Sequence, residues 1–471
     1  MPLRADAELH LVMYPFLAFG HIIPFIQLAR KLSAQPGMSI TFLTTAGNLP
    51  RITDLLSDSP TVSVHSIQLP HVDGLPPGIE TTADATPAMA ELLKRAVDLT
   101  QPQVTELLTL LRPHAIIYEF SHQWVPSIAQ PLGVKAIFFS VFSSIANAYL
   151  VVPSRRSRAD DTSKPPPGFP AESSISSVPN YQANDFAYIF KSFDGMPCVY
   201  DRVVGCIDAS DAIIIKSCME MEGPYINYLE SEYKKPVLLA GPTVPEPAIG
   251  DLESHWEEWL ERFPEDSSVI LCSFGSETFL SDDSIKELLL GLEMTGLPFI
   301  AVLNFPKSGG HEDCNCPHSH EETLKQKLPE GFEERVKGRG IVHTGWVRQQ
   351  QLLQHRKVGW YVCHAGFGSL MEGIVYGCRL VMLPQRGDQF LNASLFAGDL
   401  GVGVVVERDE ENGRFTKEGV RDAVKKMMMM GNEMHVREKE RKLKEFLMNK
   451  EVQGMFMVNF VKKLRELLVH G

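Results

Sequence analysis

Short apolar runs alternate with amphipathic stretches along the chain. In the first half the runs fall at 9–14, 39–44, 62–69, 115–118, 134–139, 212–215 and 237–240. After the first of them Pro24 stands near a helix start, and Phe25, Leu28, Ala29 and Leu32 follow an i, i+3, i+4, i+7 stripe. Apolar strands alternating with helices predict a parallel, doubly wound sheet covered on both faces. The same rhythm restarts at Ser268 with SVILCSF and continues at 299–303, 340–343, 358–363, 380–383 and 402–407. The expected fold is therefore α/β, with two Rossmann-like domains facing one cleft.

Between the two halves lie a Pro-rich stretch, 241–247, and a Trp- and acid-rich helical stretch, 255–262. A linker is expected over roughly 241–263, with domains at 1–245 and 246–455. An amphipathic final segment, 456–471, is expected to pack back on the first domain. Two inserts break the rhythm. Residues 154–170 are basic, then rich in Asp, Ser and Pro, and read as a mobile surface loop. Residues 307–320 (KSGGHEDCNCPHSH) carry two cysteines and three histidines, but C-x-C lacks the spacing of structural zinc, so a solvated loop is expected.

Composition narrows the function. The 44% hydrophobic and 22% charged residues are those of a soluble globular protein, and 471 residues suffice for two cores. A net charge of −13 argues against nucleic acid as a partner, but it does not bear on one small diphosphate. The first residues hold no apolar signal region, and no run of 18 apolar residues follows. A cytoplasmic protein without an integral membrane segment, acting as a monomer, is the expectation. The eight scattered cysteines suggest buried reduced thiols.

The richest segment is 346–389. Its apolar strand, 358–363, runs into His364-Ala-Gly-Phe-Gly-Ser369 and then a helix expected to carry Glu372 in its first turn. A Gly-rich turn between strand and helix leaves backbone N–H groups for a phosphate. His364 adds a ring donor, Glu372 an acceptor for ribose hydroxyls, Trp346 a flat face for a base, and Asp388 and Gln389 polar groups for a sugar. Two other uses stay open: Ser369-Leu-Met-Glu372 also matches a capping box, and Asp388 could cap the helix that runs through Leu395.

These 44 residues resemble, without a gap, the donor-binding box of plant secondary-product UDP-glycosyltransferases. The positions that match are Trp346, Gln349, Leu353, His355, Gly359, His364, Gly366, Ser369, Glu372, Gly377, Pro384, Asp388 and Gln389. The departures include Ala365 for Cys, Phe367 for Trp and Gly368 for Asn; where the family's Asn side chain touches a phosphate, this chain offers only backbone. The resemblance implies donor contacts at Trp346, Val347, Gln349, His364, Gly366, Phe367, Gly368, Ser369, Glu372, Asp388 and Gln389, and at Ser276 or Thr278 on an earlier loop. It implies a UDP-sugar co-substrate, loosely UDP-glucose from Gln389, with no cofactor and no metal.

His21 follows the first strand and should project from the carboxyl end of the sheet, the edge that faces ligands in open α/β folds. It suits either a general base or a helix-start histidine bonded to a carbonyl. The resemblance implies the base. Glu119, at the end of strand 115–118, is the candidate carboxylate partner; the family has Asp there, with Trp four residues on, whereas Trp124 here is five residues on. Phe16, Phe19, Trp124 and Phe142 could form an apolar acceptor wall, and Ser143, Ser144 and Asn147 could bind sugar hydroxyls. The segments 13–21, 72–82 and 367–369 resemble one branch of the family, whose members extend an existing sugar on a flavonoid or terpenoid glycoside.

The resemblance thus implies an inverting transfer to a small-molecule acceptor. A nicotinamide oxidoreductase is disfavoured, because residues 14–21 lack G-x-G-x-x-G. A protein that binds UDP-sugar with weakened catalysis stays open through Glu119 and Gly368.

Overall fold

Strands that are apolar along their whole length must be covered on both faces, and the chain does this twice. The computed structural model describes residues 8–246, 250–275, 278–305, 317–430 and 434–469. In the first sheet the strands are β1 (Leu9–Tyr14), β2 (Met38–Thr45), β3 (Val62–Ile67), β4 (Ala115–Tyr118), β5 (Lys135–Ser140), β6 (Ala212–Ile215) and β7 (Val237–Leu239). They lie in the order β3-β2-β1-β4-β5-β6-β7, and every neighbouring pair is parallel.

The second sheet holds β8 (Val269–Ser273), β9 (Phe299–Val302), β10 (Gly340–His343), β11 (Val358–Cys363), β12 (Arg379–Met382) and β13 (Val404–Val405). Its order is β10-β9-β8-β11-β12-β13, again parallel throughout. Chain order reverses between β1 and β4 in one sheet and between β8 and β11 in the other. Ligands of such sheets bind beyond the carboxyl ends at those reversals. The expected strands are all present, but the run 402–407 pairs only at Val404–Val405, where Gly401 and Gly403 enter at φ 67° and 92°.

The chain divides into two compact units. One comprises 1–172, 186–243 and 450–471, the other 173–185 and 244–449. The helix Lys450–Val469 begins earlier than the expected 456, and its Met457, Phe460, Leu464 and Leu468 complete the first unit's core beside Leu11, Phe25 and Ile214. Segment 173–185, expected in the first domain, packs within the second unit instead.

The insert 154–170 is not the loose loop that its composition suggested. Arg155 is fully buried, donating from Nε to the Tyr149 carbonyl (2.7 Å) and from Nη1 to the Lys164 carbonyl (2.7 Å). Arg158 Nη1 binds the Pro165 carbonyl at 2.7 Å. Guanidinium donors matched to loop carbonyls supply the order that apolar side chains do not. In the other insert His311, Cys314 and Cys316 lie outside the described residues, and the expected loop ends early, because Pro317–Lys327 is a helix. All six described cysteines are buried and unpaired. Among the described residues no helix is long and apolar enough to cross a membrane.

Candidate active site

In the first unit, β1 ends at Tyr14 and a short loop enters the helix Phe19–Ser33, whose third residue is His21. Glu119 directly follows β4, the neighbouring strand across the chain reversal. The two meet: His21 Nδ1 lies 2.5 Å from Glu119 Oε2. The other oxygen, Oε1, accepts the Phe16 N–H at 2.5 Å, so one buried carboxylate holds both the ring and the loop before it. An ionised carboxylate only accepts; Nδ1 therefore carries the proton, and Nε2 keeps the lone pair of a base. The alternative of a histidine bonded to a carbonyl is not what forms.

The span between Glu119 and Trp124 holds a 3₁₀ turn, Phe120–His122. The extra methylene of Glu119 still closes the contact with His21. His122 is a second imidazole nearby, but it is fully buried, and burial pushes its pKa down to about 3.

Three rings surround His21: Phe16 (5.7 Å between centroids), Phe120 (5.6 Å) and Phe142 (5.5 Å). Phe120 was not anticipated, because its place in the 3₁₀ turn has no periodic signature. Two expected wall residues point elsewhere. Phe19 lies under the Arg51 guanidinium at 3.8 Å, and Trp124 packs on His122 at 6.0 Å. Of the three residues expected to bind sugar hydroxyls, Ser143 and Asn147 bond within the fold. Ser143 caps the helix Ser144–Leu150, accepting from the Ala146 N–H, while Asn147 accepts from Ser140 Oγ (3.0 Å) and donates to the Ser143 carbonyl (2.8 Å). Both are buried, and Ser144 is too.

In the second unit, His364 follows β11 and the helix Phe367–Tyr376 starts immediately after it, with Gly366 as its N-cap. The first N–H groups of a helix have no intrahelical acceptor, and those of Gly368 and Ser369 stand in this first turn. The Phe367 ring turns inward onto Phe396 (6.0 Å), so that residue offers backbone only. Gly368 is exposed, and a Cβ there would meet nothing within 4 Å.

His364 is confined by two glycines. A Cβ on Gly366 would stand 2.6 Å from its Nε2, and one on Gly275 3.3 Å from its Cε1. Burial and then the Arg386 charge push its pKa down to about 4, with the Ser273 backbone opposing. The ring is neutral near pH 7 and acts as a hydrogen-bonding group, not a cation.

Glu372 sits in the helix's second turn, later than expected, because the helix begins at Phe367; the capping box does not form. Its carboxylate instead accepts from Gln349 Nε2 (2.6 Å) and Gln350 Nε2 (3.1 Å), while Gln349 Oε1 takes the Ser273 hydroxyl at 2.9 Å. Burial raises its pKa, and the Gln350 and Gln349 bonds oppose that rise. Trp346 is 79% exposed, and Val347 beside it is half-buried. Ser276 lies outside the described residues; Thr278 is buried.

Asp388 opens the helix Asp388–Ser394, but Gly387 is the N-cap. Asp388 Oδ2 accepts from Asn392 Nδ2 (2.9 Å), and the same amide donates to the Ala365 carbonyl at 3.1 Å. Asn392, fully buried and not anticipated, thus ties the turn at Ala365 to Asp388. Its spacing of four from Asp388 on a helix was the available signal. Gln389 Oε1 accepts from the Gln385 and Arg386 N–H groups at 2.9 and 3.2 Å.

Two α/β units, each built on a parallel sheet, are the architecture of the GT-B class. Comparison with known proteins agrees. Residues 330–447 match the family model described as UDP-glucoronosyl and UDP-glucosyl transferase. The chain is 49% identical over 470 residues to an anthocyanidin-3-O-glucoside rhamnosyltransferase of Petunia hybrida, covering 98% of this chain and 97% of that one. It is 39% identical to a cyanidin 3-O-galactoside 2''-O-xylosyltransferase of Actinidia chinensis, covering 98% of both. A Glycyrrhiza uralensis UDP-glycosyltransferase, solved with glycyrrhetinic acid 3-O-monoglucuronide, has the same fold: TM-score 0.77, 22% identity, covering 98% of this chain and 96% of that one. The chain belongs to the UDP-glycosyltransferase family and is a glycosyltransferase.

Proposed function

We propose that this enzyme transfers a hexose from its UDP-sugar, with inversion, to a sugar hydroxyl of a flavonoid glycoside. The observation that carries the chemistry is the His21–Glu119 pair, which leaves Nε2 as the proton acceptor. The acceptor O–H gives its proton to His21 Nε2 as its oxygen forms a bond to the anomeric carbon. The bond from that carbon to the UDP oxygen breaks on the opposite face, and its electron pair leaves with UDP. Glu119 stabilises the imidazolium. The charge on the departing diphosphate falls on the Gly368 and Ser369 N–H groups and on neutral His364, so the reading takes no metal. One displacement, with His21 as the base, gives inversion.

The acceptor class rests on the relatives, since the proteins of Petunia and Actinidia carry names for sugar transfer onto anthocyanidin or cyanidin glycosides. Flavonoid glycosides are therefore placed ahead of terpenoid ones. The 49% relative transfers rhamnose, which puts UDP-rhamnose ahead of the UDP-glucose suggested by Gln389. UDP release measured over a panel of UDP-sugars, with anthocyanidin 3-O-glucosides and their aglycones as acceptors, tests the reading. The expected product is a disaccharide-bearing flavonoid by mass spectrometry. Preference for aglycones across the panel would overturn the acceptor assignment, and donor binding without turnover would favour a weakened binding protein.

Trp346 offers a further test. An indole this exposed is not part of a core, and base stacking on an aromatic ring is worth about 1–3 kcal/mol. Trp346→Ala is expected to raise the UDP-sugar KM by roughly ten- to a hundredfold with little change in kcat. An unchanged KM would contradict a base at this position.

A further inference from the structure

The loop that presents Asp388 and Gln389 is held from two sides. Three successive backbone N–H groups, at Gln385, Arg386 and Gly387, point to side-chain oxygens. The loop's own Gln389 Oε1 takes the first two. The third, Gly387 N–H, goes to Asp185 Oδ2 at 2.5 Å, a residue 202 positions earlier in the chain. Gly387 stands at φ 53°, ψ −133°, a conformation that residues with a side chain do not readily adopt. The outside carboxylate thus meets the loop at its least ordinary residue.

Asp185 is delivered by a strap, 173–185, that lies along the second unit. The Ser174 N–H donates to Asp399 Oδ1 at 2.8 Å, and Asn180 Nδ2 reaches the Glu411 carboxylate at 3.1 Å. The Tyr181 ring meets Phe390 edge-on at 5.5 Å, two residues beyond Asp388. Tyr181 also lies against Gly413, where a Cβ would come within 2.7 Å of the ring. One short segment therefore grips the N-cap and first turn of the helix Asp388–Ser394 and the turn at 409–414.

We propose that Asp185 is a positioning residue for the donor sugar: through Gly387 it fixes the loop shape that aims Asp388 and Gln389. The proposal rests on the reading of this site as a UDP-sugar site and adds a determinant from a part of the chain outside the donor box. Its role is separable from UDP binding. Base, ribose and diphosphate fall to Trp346, Glu372 and the helix start at Phe367, whereas the strap's bonds above run to Gly387, Asp399 and Glu411. With Gln389 Oε1 turned into the loop, its amide N–H₂ is the end that can donate to a sugar hydroxyl. A shift of about an ångström in such a group is enough to impair a positioned reaction.

The test compares a ligand that carries the sugar with one that lacks it. For Asp185→Ala, the KM for the preferred UDP-sugar is expected to rise roughly ten- to a hundredfold, the usual cost of losing a hydrogen bond to a charged group, while the inhibition constant of UDP stays unchanged. Discrimination between UDP-glucose and UDP-xylose, which lacks the C6 group, should weaken. Asp185→Asn should restore most of the loss, because the amide oxygen can accept from Gly387. A parallel rise in UDP-sugar KM and UDP inhibition constant would show general damage to the unit and overturn the proposal. So would no change in either. Wild-type protein that binds no UDP would overturn the donor-site reading itself, and this proposal with it.

Discussion

Replacing His21 by alanine is expected to lower turnover by a factor of about 10²–10⁴, the usual contribution of a positioned base. The expectation follows from geometry. Nδ1 is engaged by Glu119, so Nε2 is the ring atom left to take a proton, and three phenyl rings, of Phe16, Phe120 and Phe142, pack around His21. Alanine removes the acceptor without disturbing the Glu119–Phe16 contact. The UDP-sugar KM should stay in place, because the proposed role of the ring is toward the acceptor hydroxyl. UDP release at saturating donor and acceptor measures the effect. Turnover comparable to wild type at neutral pH would remove His21 from the role.

Glu119→Gln is the second large effect, and here the structure sharpens the expectation. Both oxygens of Glu119 accept from fixed donors, the Phe16 N–H and the His21 ring. A glutamine has one oxygen and one N–H₂ group, so it can satisfy only one of them. If the oxygen serves Phe16, the amide N–H₂ faces Nδ1 and forces the proton onto Nε2, which can then no longer act as a base. If the oxygen serves His21, two donors face each other in a buried site, at a cost of about 1–3 kcal/mol. Loss of a triad carboxylate's charge has lowered turnover by about 10⁴ elsewhere, and a fall of at least about 10² is expected here. Glu119→Asp should be milder, because the charge survives on a shorter arm. Kinetics and thermal denaturation of the two variants side by side would decide. Full activity in Glu119→Gln would make the carboxylate structural.

Much of this was legible in the sequence, for a physical reason. Parallel strands buried on both faces read as unbroken apolar runs, so β1, β4 and β11 stand where the pattern put them. Residues at the carboxyl ends of such strands inherit their positions, which is why His21, Glu119 and His364 could be named from spacing and resemblance. The misreadings share a cause as well. Ser143 and Asn147 have the chemistry for binding a sugar and for holding a turn, and only the local backbone shows which use prevails. The segment 154–170 is polar in composition, yet Arg155 orders it through carbonyl oxygens that are invisible in a sequence. Glu372 was placed a turn early because the first residue of a helix is less legible than the helix itself. The Asp185–Gly387 bond spans 202 positions and leaves no periodic trace.

The helix Lys450–Val469 has a consequence for synthesis. It completes the core of the first unit, yet the ribosome reaches it only after making the whole of 244–449. At about 5–20 residues per second, that delay is roughly 10–40 s. Throughout it, the nascent first unit carries an open apolar groove where Met457, Phe460, Leu464 and Leu468 will later lie. Slower elongation lengthens this interval and a chaperone that occupies the groove shields it, so yield in a foreign host should depend more on conditions during translation than on the stability of the finished enzyme.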